Sequence, residues 1–372
     1  MNSFFSFIAL ILCWIISFVK PSGWSQIIEL PQIINIIIVS LSVIFYFALP
    51  YKHQNLPKWT IFGLILTFIV IPYLIENSLE GAEYLTAFLI VYIFSQCKIT
   101  ERVINLACWA IGIGGIAILY IYTNSELLLG WNDNSISMVG FFSFLFFSIQ
   151  IVLKRKTKFF WFFNIITFIY LYFLFETECR SGMLFSVLTV VSIYFISFTR
   201  RLLKSRKNFI IILNIPLIVA LLVLLIASNH DLLYALDNWS MEKFDKTIFN
   251  GRNFIWEEAL EYFNQSYWMG TGEFLLNYHN SCIAVLSVFG ILGYIYWIRY
   301  FYDIYKCLQN FLLDPIIMGC VISFTMIYIQ QSVDLGFIST DYNMIPYMIL
   351  GIALSRIFLI NKNNNHISNA NE

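Results

Sequence analysis

The sequence is poor in charge. Asp, Glu, Lys and Arg make up 12% of its 372 residues and 59% are hydrophobic, whereas a soluble globular domain carries about 25% charge. Together with a mean hydropathy of +0.76, this excludes an ordinary soluble domain and identifies an integral membrane protein. Cysteines are few and scattered: the seven lie mostly inside apolar runs, with no CxxC and no Cys/His metal spacing, so neither a disulfide framework nor a zinc site is indicated. Also lacking are a Gly-rich phosphate loop, HExxH, GxSxG and a soluble nucleotide-binding domain. A basic n-region and a cleavage pattern are missing before Lys20, so the first apolar segment reads as a retained span.

What remains is a succession of apolar windows long enough to cross about 30 Å of hydrocarbon. Twelve are expected, centred near Leu10, Ile37, Leu66, Leu89, Gly114, Phe144, Phe168, Leu188, Ile218, Val288, Met326 and Leu350. The expected fold is all-α, a polytopic bundle forming a single transmembrane domain over residues 1–372. One long polar stretch interrupts it, an extracytoplasmic segment over 228–277.

Charge placement orients the chain. With the N-terminus inside, seventeen of the 22 basic residues fall in cytoplasmic breaks, leaving Lys20, Arg180, Lys243, Lys246 and Arg252 outside. Eighteen of the 22 carboxylates face outward, and both termini are cytoplasmic. The span centres carry no charge, which weighs against an ion-coupled transporter or a lipid-linked oligosaccharide flippase.

The two outer arginines run against this bias. Arg180, in Glu178-Cys179-Arg180-Ser181-Gly182, precedes a span; Arg252, after Asn250-Gly251, opens an outer helix. Backbone N–H groups at a helix start favour anions, Gly251 lets a ligand approach the backbone, and two guanidinium forks suit a diphosphate. The plainer alternative is that they reach lipid headgroups or pair with Glu176, Glu178, Glu257 or Glu258. From Arg252 to Trp268 the spacing predicts an amphipathic helix with Trp256, Leu260, Phe263 and Tyr267 on one stripe, suited to packing or to a sugar face. His279 precedes an apolar helix for which Asn280 and Ser281 are caps. A helix N-terminus keeps an imidazole neutral, so His279 is either a general base or an interfacial capping residue. The turn Gly270-Thr271-Gly272 lies between them.

These motifs, with Gly290 and Gly293 downstream, resemble the O-antigen polymerase and ligase superfamily of bacterial polysaccharide assembly, including Wzy-type polymerases of O-antigen and capsule. The resemblance covers roughly Glu176 to Tyr300, with Cys179 where the family usually has Ser. It implies a GT-C-like, metal-independent membrane glycosyltransferase without cofactor, in the bacterial cytoplasmic (inner) membrane with its active site facing outward. The implied donor is an oligosaccharide on undecaprenyl diphosphate held by Arg180 and Arg252, with Gly251, Asn280 and Glu178 lining the substrate. His279 would activate the acceptor hydroxyl. Polymerase is the leading expectation and ligase onto lipid A core the alternative. Membrane lipid, a chain-length regulator and a flippase are the implied partners, and no nucleic acid.

Overall fold

The computed structural model describes residues 3–19, 58–78, 80–125, 133–158, 160–177, 180–245, 247–333 and 344–370. The expected span at Ile37, the outer break 334–341, Lys246, Glu178 and Cys179 lie outside them. Among the described residues the chain is all-helical. In order come α1 (Ser3–Val19), α2 (Lys58–Ile65), which passes through a π turn (Leu66–Val70) into α3 (Ile71–Glu76), α4 (Glu80–Gln96), α5 (Glu101–Asn124), α6 (Asp133–Lys154), α7 (Phe160–Glu176), α8 (Arg180–Tyr194) and α9 (Ile196–Lys204). Then follow α10 (Arg206–Ala227), α11 (His230–Phe244), α12 (Arg252–Gln265), α13 (Ser281–Leu308), α14 (Pro315–Gln330) and α15 (Met344–Ala370). Among the described residues six stretches are long and apolar enough to cross a membrane, or seven if the bent pair α8–α9 counts as one; four shorter apolar helices occupy further expected centres. The long polar segment holds two helices, α11 and α12, where the spacing predicts one.

Charge and connectivity agree on which loops share an end of the bundle. Arg155 Nη2 donates to the Tyr194 carbonyl, Arg200 Nε to Leu312, and Arg206 Nε to Gln309, while Arg356 pairs with Asp314. The breaks assigned to one side by their lysines and arginines therefore meet at one basic end. Helix α6 forms the centre of the bundle and is almost wholly buried, and α14, α5 and α15 pack around that centre.

The expected span at Val288 requires correction. Helix α13 is broken at Gly290, whose φ of 65° and ψ of −170° are non-helical. The two halves fold towards each other, because Tyr328 touches both: its hydroxyl lies 3.9 Å from Cys282 Sγ, and its ring lies 5.7 Å from Trp297 and 5.6 Å from Phe301. In a straight helix Cys282 and Phe301 would be about 28 Å apart. The crossing helix is therefore the part beyond Gly290. Residues 281–290 form a short helix buried on all sides.

A break in a buried helix strands backbone groups, and here each has a new partner. Helical bonds from Ile291 and Leu292 to the carbonyls of Ser287 and Val288 cannot form across Gly290. Instead Ile291 N donates to Tyr267 O (2.9 Å) and Leu292 N to Trp268 O (3.3 Å), while Ser287 O and Val288 O accept from Thr271 N (3.0 Å) and Gly272 N (2.9 Å). Irregular backbone at membrane depth is tolerated where protein buries and satisfies it. The turn at Gly270 is thus a plug in the break, not a surface loop. The fit needs two glycines at positive φ: a Cβ on Gly270 would stand 2.3 Å from the Val288 carbonyl, and one on Gly290 2.4 Å from that of Trp268.

Gly290→Ala and Gly270→Ala are expected to abolish folding or lower the thermal midpoint steeply, since backbone cannot yield to either Cβ. Gly251→Ala, with the same sign of φ but nothing within 4 Å of its Cβ, should cost only the left-handed strain of about 1–2 kcal/mol. Thermal unfolding of the three variants in detergent checks the ranking.

Candidate functional site

The segment leaving the plug climbs from Gly272 to Asn280 and starts the buried half of α13. Asn280 is its cap, as expected: Oδ1 accepts from Cys282 N (3.0 Å) and Ile283 N (3.1 Å). Its Nδ2 donates to Pro216 O (2.8 Å) and Ser332 O (3.1 Å). Beside it Ser281 bonds Gln331 through backbone N (3.2 Å) and through Oγ to Oε1 (2.9 Å). Asn280 is fully buried and every polar side-chain atom is engaged within the protein, so it positions the neighbouring backbone.

Pro216 sits in the middle of the 22-residue α10. The cap of α13, with His279 next to it, therefore lies about 15 Å from either end of that helix. These residues follow the expected extracytoplasmic segment 228–277 and stand level with the middle of α10. His279 itself is half-buried with φ of 47°, a left-handed conformation uncommon outside glycine. The cap bonds of Asn280 on one side and the Tyr278 anchor on the other hold it there.

That anchor joins His279 to Arg252. The buried Trp256 donates from Nε1 to the Tyr278 carbonyl at 2.6 Å. Arg252 precedes Trp256 by one turn, so both share a face of α12, and Asn253, Trp256 and Ala259 form the buried side. Gly251 caps α12 in the left-handed conformation with open space where a Cβ would stand. Helix α12 ends at Gln265, earlier than expected. Tyr267 is therefore not on its stripe; its carbonyl serves the plug. On the solvent side Tyr262 donates to Glu258 (3.2 Å), and its phenol pKa is raised, by desolvation first and then by Glu258.

Arg180 occupies the first turn of α8 and is exposed. The far end of α8, Tyr194, meets Arg155 at the basic end, so Arg180 stands at the opposite end, with α12 and His279. Its helix packs on α6 and α14, whereas α12 packs on α10 and α13, and α10 packs on α14. The structure thus links Arg252 and His279 through one contact and sets Arg180 at the same end, one helix further round. Glu178 lies outside the described residues. Among these, no three His, Cys, Asp or Glu side chains gather into a metal-binding group.

Residues 165–298 match the family model Wzy_C, described as O-antigen ligase. Over these residues the chain is similar to the O-antigen ligase family. The match covers roughly a third of the chain and runs from within α7 to beyond the break in α13. It therefore includes Arg180, both helices of the polar segment, the plug and His279. No curated protein matches the chain. Three contributors to this geometry had no strong signal in the sequence. Tyr278 acts through its carbonyl, Gln331 comes from fifty residues downstream, and Pro216 offers a backbone oxygen.

Asn280→Asp separates the two jobs of this residue. Aspartate caps helices as well as asparagine but cannot donate to Pro216 and Ser332. The variant should be destabilised about as much as Asn280→Ala, on the order of 2–4 kcal/mol for two stranded carbonyls; a variant as stable as the parent in thermal unfolding would show that only the cap matters.

Proposed function

We propose that the protein is a repeat-unit polymerase of O-antigen or capsule assembly, working at the outward face of the bacterial cytoplasmic membrane. It transfers a glycan from undecaprenyl diphosphate to the non-reducing-end hydroxyl of another lipid-linked repeat unit. The observation that carries the reading is the Trp256–Tyr278 bond, which ties the helix bearing Arg252 to the residue before His279.

In this reading the acceptor hydroxyl attacks the anomeric carbon as the bond from that carbon to the diphosphate oxygen breaks. The hydroxyl proton passes to the His279 imidazole. Charge develops on the departing lipid diphosphate, where the guanidinium of Arg252, and that of Arg180 from across α14, supply donors suited to phosphate oxygens. Sinking His279 to the level of Pro216 removes it from bulk water, which strengthens such electrostatics. Asn280 acts by holding the backbone of His279, and Gly251 leaves room beside Arg252.

A ligase transferring the glycan to lipid A core, or to another terminal acceptor, is the second reading, favoured by the description of the matching family. Loss of a polymerase leaves single repeat units on the carrier lipid; loss of a ligase leaves long chains stranded there. Purified protein given lipid-linked repeats alone should form polymer, and His279→Gln should slow it by about 10²–10⁴-fold. Arg252→Lys should also lower the rate, because a point charge does not replace the fork. Polymer formed at the parent rate by the His279 and Arg252 variants would overturn the assignment of roles, and normal long chains in a deletion strain would overturn the polymerase.

A further inference from the structure

At the basic end, away from His279, α8 and α9 meet at an angle of 96°. The elbow, with α10 and α14, encloses a half-open cavity of about 710 Å³ lined by Val191, Phe195, Leu203, Ile212, Ile322 and Met326 among others. This is within the size range of ligand pockets, about 300–1,000 Å³. The walls are almost wholly apolar and the rim carries the exposed Phe198, Phe195 and Ile211. Helix α9 buries Ile196, Thr199 and Leu203 and ends in Arg201 and Lys204. A short helix turned nearly at right angles to its span, apolar on one side and basic at its end, has the form of an element lying in the membrane interface.

The charge at the mouth is of one sign. Arg201, Lys204, Arg206 and Lys207 are exposed within a turn of cavity-lining residues. Arg155 joins them through its bond to Tyr194, next to Phe195. The sequence holds no carboxylate between Glu178 and Asp231. From the elements packed alongside, Asp314 is paired with Arg356 and Asp303 with Arg299. Among the described residues no carboxylate is paired with the cluster. A topology signal alone needs basic residues, but it does not need an apolar cavity opening beneath them.

We propose that this elbow is a binding site for an anionic phospholipid, with an acyl chain in the cavity and the headgroup phosphate on the basic side chains of α9 and α10. The lipid's tail satisfies the apolar walls and its charge the one-signed rim. Bound there, it braces α9 against α14, the helix that runs on to Gln331 and its bond with Ser281.

Native mass spectrometry of the detergent-purified protein, titrated with phosphatidylglycerol or with phosphatidylcholine of the same acyl chains, tests this. The expected result is retention of phosphatidylglycerol at about tenfold lower concentration than phosphatidylcholine. Combined Arg201→Gln, Lys204→Gln and Lys207→Gln should erase the preference, and filling the cavity with Ile212→Trp or Met326→Phe should reduce binding of both lipids. Equal retention of the two lipids by the parent overturns the proposal, as does a preference that survives the triple substitution or binding that is undiminished by the filled cavity. The triple variant changes only exposed side chains, so it stays informative if the filled variants fail to fold. No glycan enters the measurement, so its outcome is separate from that of the polymerase reading.

Discussion

The backbone exchange at Gly290 is the constraint on which the rest of this molecule depends. A buried helix broken there leaves two donors and two acceptors, each costing several kcal/mol if abandoned in an apolar environment. Residues 267–272 supply the missing partners through four backbone bonds. Because backbone bonds are indifferent to side chains, the register is set by the close approach of Gly270 and Gly290. Once the plug is fixed, the eight residues that follow have one course to the start of α13. That course delivers Tyr278 to Trp256 and His279 to the level of Pro216.

The polar groups of the site divide by what they touch. Asn280, Ser281 and Gln331 spend their hydrogen bonds within the protein, joining α10, α13 and α14 where Pro216 interrupts the helix. Tyr328 adds a bond to the Leu213 carbonyl (2.8 Å), one turn before that proline. These contacts form a rigid floor. Arg252 is tied to this part of the fold through the Trp256–Tyr278 bond, and Arg180 stands one helix further round. The cavity of the elbow is lined by Ile322, Met326 and Ile329 of α14, so the same helix connects these contacts to the proposed phospholipid.

Much of this was legible in the residues. Apolar windows located most helices, because hydropathy is a local average and lipid exposure imposes it directly. The lysine and arginine bias grouped the basic breaks together, and the bonds of Arg155, Arg200 and Arg206 join such breaks at one end. Asn280 was recognisable as a cap from its place before an apolar run. Other features were not legible. Gly290 looks like any small residue in a spanning helix, and a break matched by backbone from twenty residues away leaves no periodic trace. Helix α11 was missed because its apolar residues are mixed with Asp231, Asp237 and Glu242. The depth of His279 depends on the Asn280–Pro216 bond, between residues 64 apart in sequence, and no local pattern encodes it.

Hydrogen–deuterium exchange across residues 266–273 tests the central claim most directly. The segment lies between two helices in a polar stretch, and as a surface loop its amides would exchange within seconds. If the plug fills the break, Thr271 and Gly272 should exchange as slowly as Ile291 and Leu292, and all four should be released together in Gly290→Ala protein that remains folded. Fast exchange at Thr271 and Gly272 in the parent, with Ile291 and Leu292 still protected, would contradict the account.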